Sequence, residues 1–126
     1  GGLWLDCTCY LSAPINEDFF KYCFYSIKGD KDIIPEMYAN NRWSSFCISG
    51  WKGNQLFEIA KLCFEEYWKE NDYQINYFML DHFIGSIYNN NEFCKSIIDS
   101  IPISNKNVDF IRNKMIAAGM MSQSHA

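Results

Sequence analysis

The sequence predicts an α+β chain of the wider α/β class, in which short strands come first and helices follow. Before residue 54, apolar residues form short runs separated by turn-forming residues, as in strands. From Asn54 onward they recur every three or four residues, as in amphipathic helices. With 126 residues, 48% of them hydrophobic and 17% aromatic, the chain is one domain or a piece of one and can build a core.

The first strand is predicted within residues 1–11, where two glycines precede an apolar run that contains Asp6. Strand side chains alternate between faces, so we expect Trp4, Asp6 and Thr8 on one face. The other face, expected to be buried, carries Leu3, Leu5, Cys7 and Cys9. A carboxylate and a hydroxyl two residues apart suit Mg²⁺ or Mn²⁺ on a diphosphate, and glycines allow close approach of a backbone or a ligand. The same pattern also fits a strand whose Asp6 only caps a turn.

Two more strands and a short helix are predicted before residue 54. Residues 16–18 resemble a helix start after Pro14, and residues 22–28 form an aromatic-rich run that ends in a Lys-Gly-Asp turn. Residues 33–43 show no clear pattern. Residues 45–51 predict a third strand, which a Lys-Gly-Asn turn closes.

Four helices are predicted after this turn. Asn54 is a suitable N-cap for the first, and Asp72 for a second that extends through Tyr88. Three asparagines at 89–91 interrupt the pattern before a shorter helix that ends near Ser100. Pro102 breaks the chain, and residues 108–118 predict a last amphipathic helix. We therefore expect one domain over residues 1–118 and a frayed tail over residues 119–126.

Composition argues against several classes of protein. The net charge of −4 and the lack of a basic block make nucleic acid an unlikely main partner. No apolar run approaches the ~20 residues that span a bilayer, so any membrane association is expected to be peripheral. The six cysteines show no Cys-x-x-Cys spacing, which predicts reduced thiols rather than a zinc or redox centre.

Further candidate site residues lie in the second half of the chain and in one turn. Asp81 and His82 are the only adjacent acid and imidazole, but on a helix they project about 100° apart and would not face one ligand together. Lys52, in a turn after a strand, is predicted either to neutralise a phosphate or to be a solvated lysine. Trp4 is predicted either to bind substrate or to lie in the core.

The Gly-Gly-x-Trp-x-Asp-x-Thr segment resembles the metal and sugar-nucleotide segment of the capsular polysaccharide synthesis proteins, a family of bacterial glycosyltransferases. The resemblance continues in order through Trp-Ser-Ser-Phe at 43–46, Lys-Gly-Asn-Gln-Leu at 52–56 and Tyr-Phe-Met-Leu-Asp at 77–81. It covers roughly residues 1–112 and matches the C-terminal portion of such an enzyme. The chain does not begin with Met, and we expect the nucleotide-binding βαβ units to precede it.

The resemblance implies a GT-A-like fold and transfer of a hexosyl unit from a nucleotide-sugar donor to a surface or capsular polysaccharide acceptor, in the cytoplasm or at the inner face of the membrane. It implies that Asp6 contacts the ribose or a divalent metal (Mn²⁺ or Mg²⁺), and that Asp81 orients an acceptor hydroxyl or serves as base. Thr8 occupies the position of a second, metal-binding Asp in related transferases. The alternative is a non-catalytic fragment or interaction domain that retains only part of the fold.

Overall fold

The computed structural model describes residues 1–30 and 39–105 and has the expected α+β composition. Strands precede the long helices, as the sequence predicts. The elements are β1 (Gly2–Leu5), α1 (Asp18–Lys21), β2 (Phe24–Ser26), β3 (Cys47–Gly50), α2 (Gln55–Glu70), α3 (Met79–Asn90) and α4 (Glu92–Ser100). The predicted last helix (108–118) and tail (119–126) lie outside the described residues. Within the described ranges, no helix is both long enough and apolar enough to cross a membrane.

The three strands form one antiparallel sheet in the order β1-β3-β2, so β3 is central. Its four residues are all buried. Both neighbours are short, with four residues in β1 and three in β2, and a turn follows β1 directly. The predicted buried face of the first strand is only partly realised: Leu3 and Leu5 are half-buried and Cys7 is exposed. All six cysteines are free thiols.

The β1 strand ends at Leu5 because the next residues form a turn. The Cys9 N–H donates to the Asp6 carbonyl at 3.0 Å, and the Thr8 N–H donates to the Asp6 carboxylate at 3.1 Å. A side chain that accepts from the backbone two residues on is an Asx-turn, which competes with strand pairing. The prediction that Asp6 and Thr8 share one face of a strand is therefore wrong, because the strand ends before Asp6. The alternative, in which Asp6 caps a turn, is the one that the structure shows.

The two faces of the sheet carry different helices. Phe19 of α1 packs edge-to-face on Tyr25, with ring centroids 5.0 Å apart. On the other face, Phe57 of α2 packs on Phe24 at 6.0 Å. This second face holds most of the core, whose buried members from the helices and the last turn include Leu56, Ala60, Ile84, Ile87, Cys94, Ile98 and Ile101.

Asparagine caps begin two of the long helices, α2 at the predicted cap Asn54 and α4 at Asn91, in the run that the sequence predicts only to interrupt the helical pattern. The Asn54 side chain accepts from the Phe57 N–H at 2.9 Å and begins α2. The Asn91 side chain accepts from the Cys94 N–H at 2.9 Å and begins α4, which ends at Ser100. The asparagine run at 89–91 therefore marks the boundary between α3 and α4, and Asn91 caps α4 through the same kind of hydrogen bond that Asn54 makes in α2.

The start of α3 differs from the prediction. Asp72 does not cap this helix, which begins at Met79. The Gln74 amide donates to the Asn76 carbonyl at 2.8 Å, and the Asn76 side chain accepts from the Phe78 N–H at 2.7 Å. These side chains satisfy backbone groups in a non-helical conformation, and this competition delays the helix.

Lys28 connects β2 to the end of α4. Its ammonium donates to the carbonyls of Ile98, Asp99 and Ile101 at 3.3, 3.3 and 3.0 Å. The last carbonyls of a helix lack partners within the helix, and a cation there also opposes the negative end of the helix dipole. Lys28 therefore provides a long-range cap for α4.

We expect Lys28→Met to lower the free energy of unfolding by about 1–2 kcal/mol, because the carbonyls lose a charged donor while the aliphatic stem is retained. Urea denaturation followed by circular dichroism measures this change. Lys61→Met is the matched control, because Lys61 is exposed and pairs only with Glu65 across one helical turn. Equal stabilities of the two variants would contradict the capping role.

Candidate functional site

The turn after β1 presents an acidic group near the protein surface. The Thr8 hydroxyl and the Thr8 N–H both donate to the same oxygen of the Asp6 carboxylate. These two hydrogen bonds, the side-chain one first, lower the pKa of Asp6 below its usual value. Asp6 is half-buried and Thr8 is exposed. The turn thus offers an ionised carboxylate, with one of its oxygens held by Thr8.

The same turn lies against the segment that precedes β3. The Asp6 N–H donates to the Phe46 carbonyl at 2.9 Å, and the Cys9 thiol contacts that carbonyl oxygen at 3.6 Å. From the helical side, the Trp43 indole N–H donates to the Asp81 carboxylate at 2.8 Å, and the Ser45 hydroxyl lies 3.5 Å from its other oxygen. Asp6 and Asp81 therefore flank the same segment, residues 43–46, at one end of the sheet.

Asp81 is a buried acid with only 8% of its surface exposed. Burial raises the pKa of its carboxyl group, and the hydrogen bonds from Trp43 and Ser45 oppose this rise. Since Trp43 is itself buried, Asp81 satisfies an indole N–H that has no access to water. Asp81 thereby connects the first turn of α3 to the 43–46 segment.

His82 follows Asp81 in α3 and differs from it in exposure. Its backbone N–H donates to the Phe78 carbonyl at 3.0 Å, and its side chain is half-buried. Neighbouring helical residues diverge by about 100°, as the sequence predicts. Of the two residues His82 is therefore the less buried, but its Nε2 atom is shielded from solvent.

Trp4 precedes Asp6 by two residues and lies on the face of the sheet that the long helices cover. It is opposite Ile48 in the sheet register, and residues in opposite positions share a face. The alternative that Trp4 is a core residue is wrong, because 61% of its surface is exposed. Its ring lines an apolar groove of about 270 Å³ between the sheet and the helices, together with Ile48, Leu56, Phe57, Ala60, Leu80 and Ile84.

Lys52 lies at the opposite end of the sheet from Asp6. Asp6 pairs with Phe46 before β3, whereas Lys52 is in the exposed turn after Gly50. The four residues of β3 alone span about 13 Å. The structure therefore does not bring Lys52 together with the Asp6 turn.

The glycines at the start of the chain lie near Lys52 instead. A Cβ atom at Gly1 would be 3.0 Å from the backbone nitrogen of Lys52. Another part of the backbone therefore does approach Gly1 closely, as the sequence predicts. Gly53 in the same turn has φ +77°, in the left-handed region that favours glycine. At this end of the sheet, Gly1 thus allows the close backbone approach and Gly53 allows the turn.

The metal-binding capacity of the turn is that of one carboxylate with an adjacent hydroxyl. Among the residues that the structure describes, no three His, Cys, Asp or Glu side chains are grouped so that they could hold a metal ion. Mg²⁺ in nucleotide sites is bound by one or two carboxylates and completed by phosphate oxygens and water. Asp6 fits the protein side of such a shared site, and it does not fit a cage made of protein ligands alone.

Sequence reasoning did not foresee the link from Asp81 to Trp43 and Ser45. The Trp-Ser-Ser-Phe run at 43–46 borders a region without periodicity, so no pattern assigned it a partner. The one available signal was chemical. A buried Trp and a Ser both need a hydrogen-bond partner, and Asp81 is an acid in the first turn of an apolar helix.

Comparisons with known proteins agree with the segments described above. The sequence model of the family described as "Capsular polysaccharide synthesis protein" matches residues 1–119, nearly the whole chain of 126 residues. No curated protein and no solved structure matches the chain significantly. The match includes the Asp6 turn, the 43–46 segment and Asp81. The chain therefore belongs to the capsular polysaccharide synthesis protein family.

Proposed function

We propose that this chain is part of a GT-A-like glycosyltransferase that moves a hexosyl unit from a nucleotide-sugar to a surface polysaccharide. The observation that carries the proposal is the end of β1, where an ionised Asp6 follows the exposed Trp4 by two residues, in a chain of a polysaccharide synthesis family. A carboxylate and an exposed aromatic ring suit a donor with a charged diphosphate and flat or apolar rings. The free thiols fit a reducing compartment, and we assign the reaction to the cytoplasmic side of the membrane.

In this proposal Asp6 binds the donor, and Thr8 orients the carboxylate. Two hydrogen bonds from Thr8 fix one carboxylate oxygen, which leaves the other oxygen to contact ribose or a divalent cation. A bound Mn²⁺ or Mg²⁺ would neutralise the charge that develops on the diphosphate leaving group. Trp4 packs against the sugar or the base at the groove mouth. Lys52 is too distant from Asp6 to share the same diphosphate and would contact another part of a ligand.

Asp81 and His82 are the candidates for acceptor chemistry. The raised pKa of Asp81 makes it a better proton acceptor than an ordinary carboxylate, but both its oxygens face protein donors. We therefore assign Asp81 to positioning the 43–46 segment, and His82 to proton transfer from the acceptor hydroxyl. Imidazole nitrogen is the most frequent proton acceptor in general base catalysis.

We expect Thr8→Asp to tighten Mn²⁺ binding, because a hard cation gains a second charged oxygen ligand. Isothermal calorimetry with Mn²⁺ and a nucleoside diphosphate measures the affinity. Thr8→Val is the matched control: it removes the hydroxyl without adding charge and should weaken binding, because Asp6 loses one of the hydrogen bonds that orient it. Affinity that is unchanged in Thr8→Asp, in a variant that still folds, would contradict a metal site at the turn formed by Asp6 and Thr8.

A non-catalytic interaction domain is the second candidate function. One observation favours it: only one carboxylate of the described residues is available at the Asp6 turn for a donor metal. The two candidates differ in a simple respect. A transferase domain contributes to binding of a nucleotide-sugar, whereas an interaction domain does not.

A further inference from the structure

The loop between α2 and α3, residues 71–78, exposes aromatic and aliphatic side chains to solvent. Tyr73 is 60% exposed, Ile75 69% and Tyr77 85%. Trp68, on the last turns of α2, is also largely exposed. Exposed apolar side chains that cluster in one segment often mark a binding surface, whereas single scattered ones do not. We call residues 71–78 the aromatic loop.

Hydrogen bonds fix the shape of the aromatic loop. The Tyr67 hydroxyl donates to the Tyr73 carbonyl. The Gln74 amide donates to the carbonyls of Asn76 and Tyr77 at 2.8 and 3.3 Å. Tyr77 also packs edge-to-face on Phe78, with ring centroids 5.0 Å apart. The backbone of the aromatic loop and the Tyr77 ring are therefore pre-organised, which lowers the entropic cost of binding to them.

The aromatic loop leads directly into the candidate site. Phe78 precedes the first residue of α3, and Asp81 lies in the first turn of that helix. One turn of helix is about 5.4 Å long, so the backbone of Tyr77 lies roughly one helical turn from that of Asp81, which contacts the 43–46 segment. A chain-like ligand whose end reacts beside Asp81 and His82 could therefore extend across the loop.

The chemistry of the loop favours one class of ligand. Its exposed aromatic and aliphatic side chains are separated by amides, in the order Tyr73, Gln74, Ile75, Asn76, Tyr77, and Asn71 and Asp72 precede them. Sugar rings present apolar faces to aromatic rings and hydroxyl groups to polar neighbours. The loop contains no Lys or Arg, and Lys69 beside it is paired with Glu66. Glu70 and Asp72 would repel acidic sugars and anionic lipid headgroups.

We infer that the aromatic loop is a binding site for neutral sugar units of an oligosaccharide, with Tyr73 and Tyr77 stacking on successive rings. The inference rests on the proposed function in one respect: it places these units as the acceptor chain next to the reacting centre. Sugar binding itself needs neither donor nor metal, so it can be tested separately.

The experiment measures binding of linear hexasaccharides of glucose, mannose or galactose to the full chain, by saturation-transfer NMR without nucleotide or metal. We expect binding of at least one hexasaccharide, and a loss of about tenfold or more in affinity in the Tyr73→Ala/Tyr77→Ala double variant. Tyr77→Phe keeps the ring and should retain most of the affinity. Phe93→Ala is the matched control, because Phe93 is an exposed ring at the start of α4, beyond the other end of α3.

Two results would overturn the inference. One is that none of the hexasaccharides binds, or that the double variant and Phe93→Ala bind them equally to the native chain. The other is that the native chain binds no sugar but co-sediments with phosphatidylcholine vesicles, and that the double variant does not co-sediment. This result would identify the loop as a lipid contact. If the native chain binds a hexasaccharide but binds no nucleotide-sugar in a separate titration, the result would contradict only the donor site at Asp6.

Discussion

Asp6→Asn is expected to lower the rate of glycosyl transfer by the full-length enzyme about 10²-fold or more, with the fold intact. The amide has nearly the shape of the carboxylate and can still accept hydrogen bonds from Thr8. It lacks the negative charge, and it therefore holds a metal-bound diphosphate more weakly in the transition state. Steady-state kinetics with the nucleotide-sugar donor, at saturating Mn²⁺, measures the change.

The control for this variant is Asp18→Asn. Asp18 is a partly exposed acid on α1, away from the face of the sheet that the long helices cover, and pairs with Lys21 at 2.9 Å. Its loss should leave the rate close to the native value, since a surface pair across one helical turn contributes little. Near-native turnover by Asp6→Asn would remove the basis for a donor site at the Asp6 turn.

Asp81→Ala is expected to lower the free energy of unfolding by about 2–3 kcal/mol. The substitution leaves the buried Trp43 indole N–H without its acceptor at 2.8 Å, and an unsatisfied buried donor costs about 1–3 kcal/mol, to which a small cavity adds. Asp81→Asn keeps an oxygen acceptor and should be much less destabilising. Urea denaturation of both variants, followed by tryptophan fluorescence, measures the difference.

The pH dependence of Asp81→Asn gives a second test of this assignment. Burial raises the pKa of Asp81 in the folded protein above its unfolded value of about 3.9. The carboxyl group therefore stabilises the fold most below that unfolded value, and its contribution is lost as the pH rises through the folded pKa. An asparagine does not titrate, so Asp81→Asn should be less destabilising at pH 7 than at pH 4. A difference of the opposite sign would mean that Asp81 is stabilised in its ionised form.

Much of the fold could be predicted because some residues stabilise helices through hydrogen bonds and contacts with residues close to them in the sequence. Asn54 and Asn91 cap helices by bonding N–H groups three residues on, and the apolar period of α2 follows from the same local geometry. Asp72 was a comparable candidate, but the amides of Gln74 and Asn76 satisfied the backbone in another way. Propensity cannot decide between two local hydrogen-bond patterns of similar energy.

The candidate site was predictable only in part, since its residues meet through tertiary contacts. The Asp6 and Thr8 pairing is local and was foreseen, although in a turn rather than along a strand. The contact of Asp81 with Trp43 spans 38 positions of sequence, and no periodicity reports it. The distance of Lys52 from Asp6 likewise follows from the antiparallel pairing of β1 with β3, which joins residues more than 40 positions apart in the sequence.

The most direct measurement is calorimetric titration of a panel of nucleotide-sugars into the full-length protein, with and without Mn²⁺, for the native chain and for Asp6→Asn. A transferase with its donor site at the Asp6 turn should bind at least one nucleotide-sugar, more tightly with Mn²⁺, and should lose that Mn²⁺-dependent gain in Asp6→Asn. Absence of binding to every member of the panel, or a Mn²⁺-dependent gain that Asp6→Asn retains, would contradict the account.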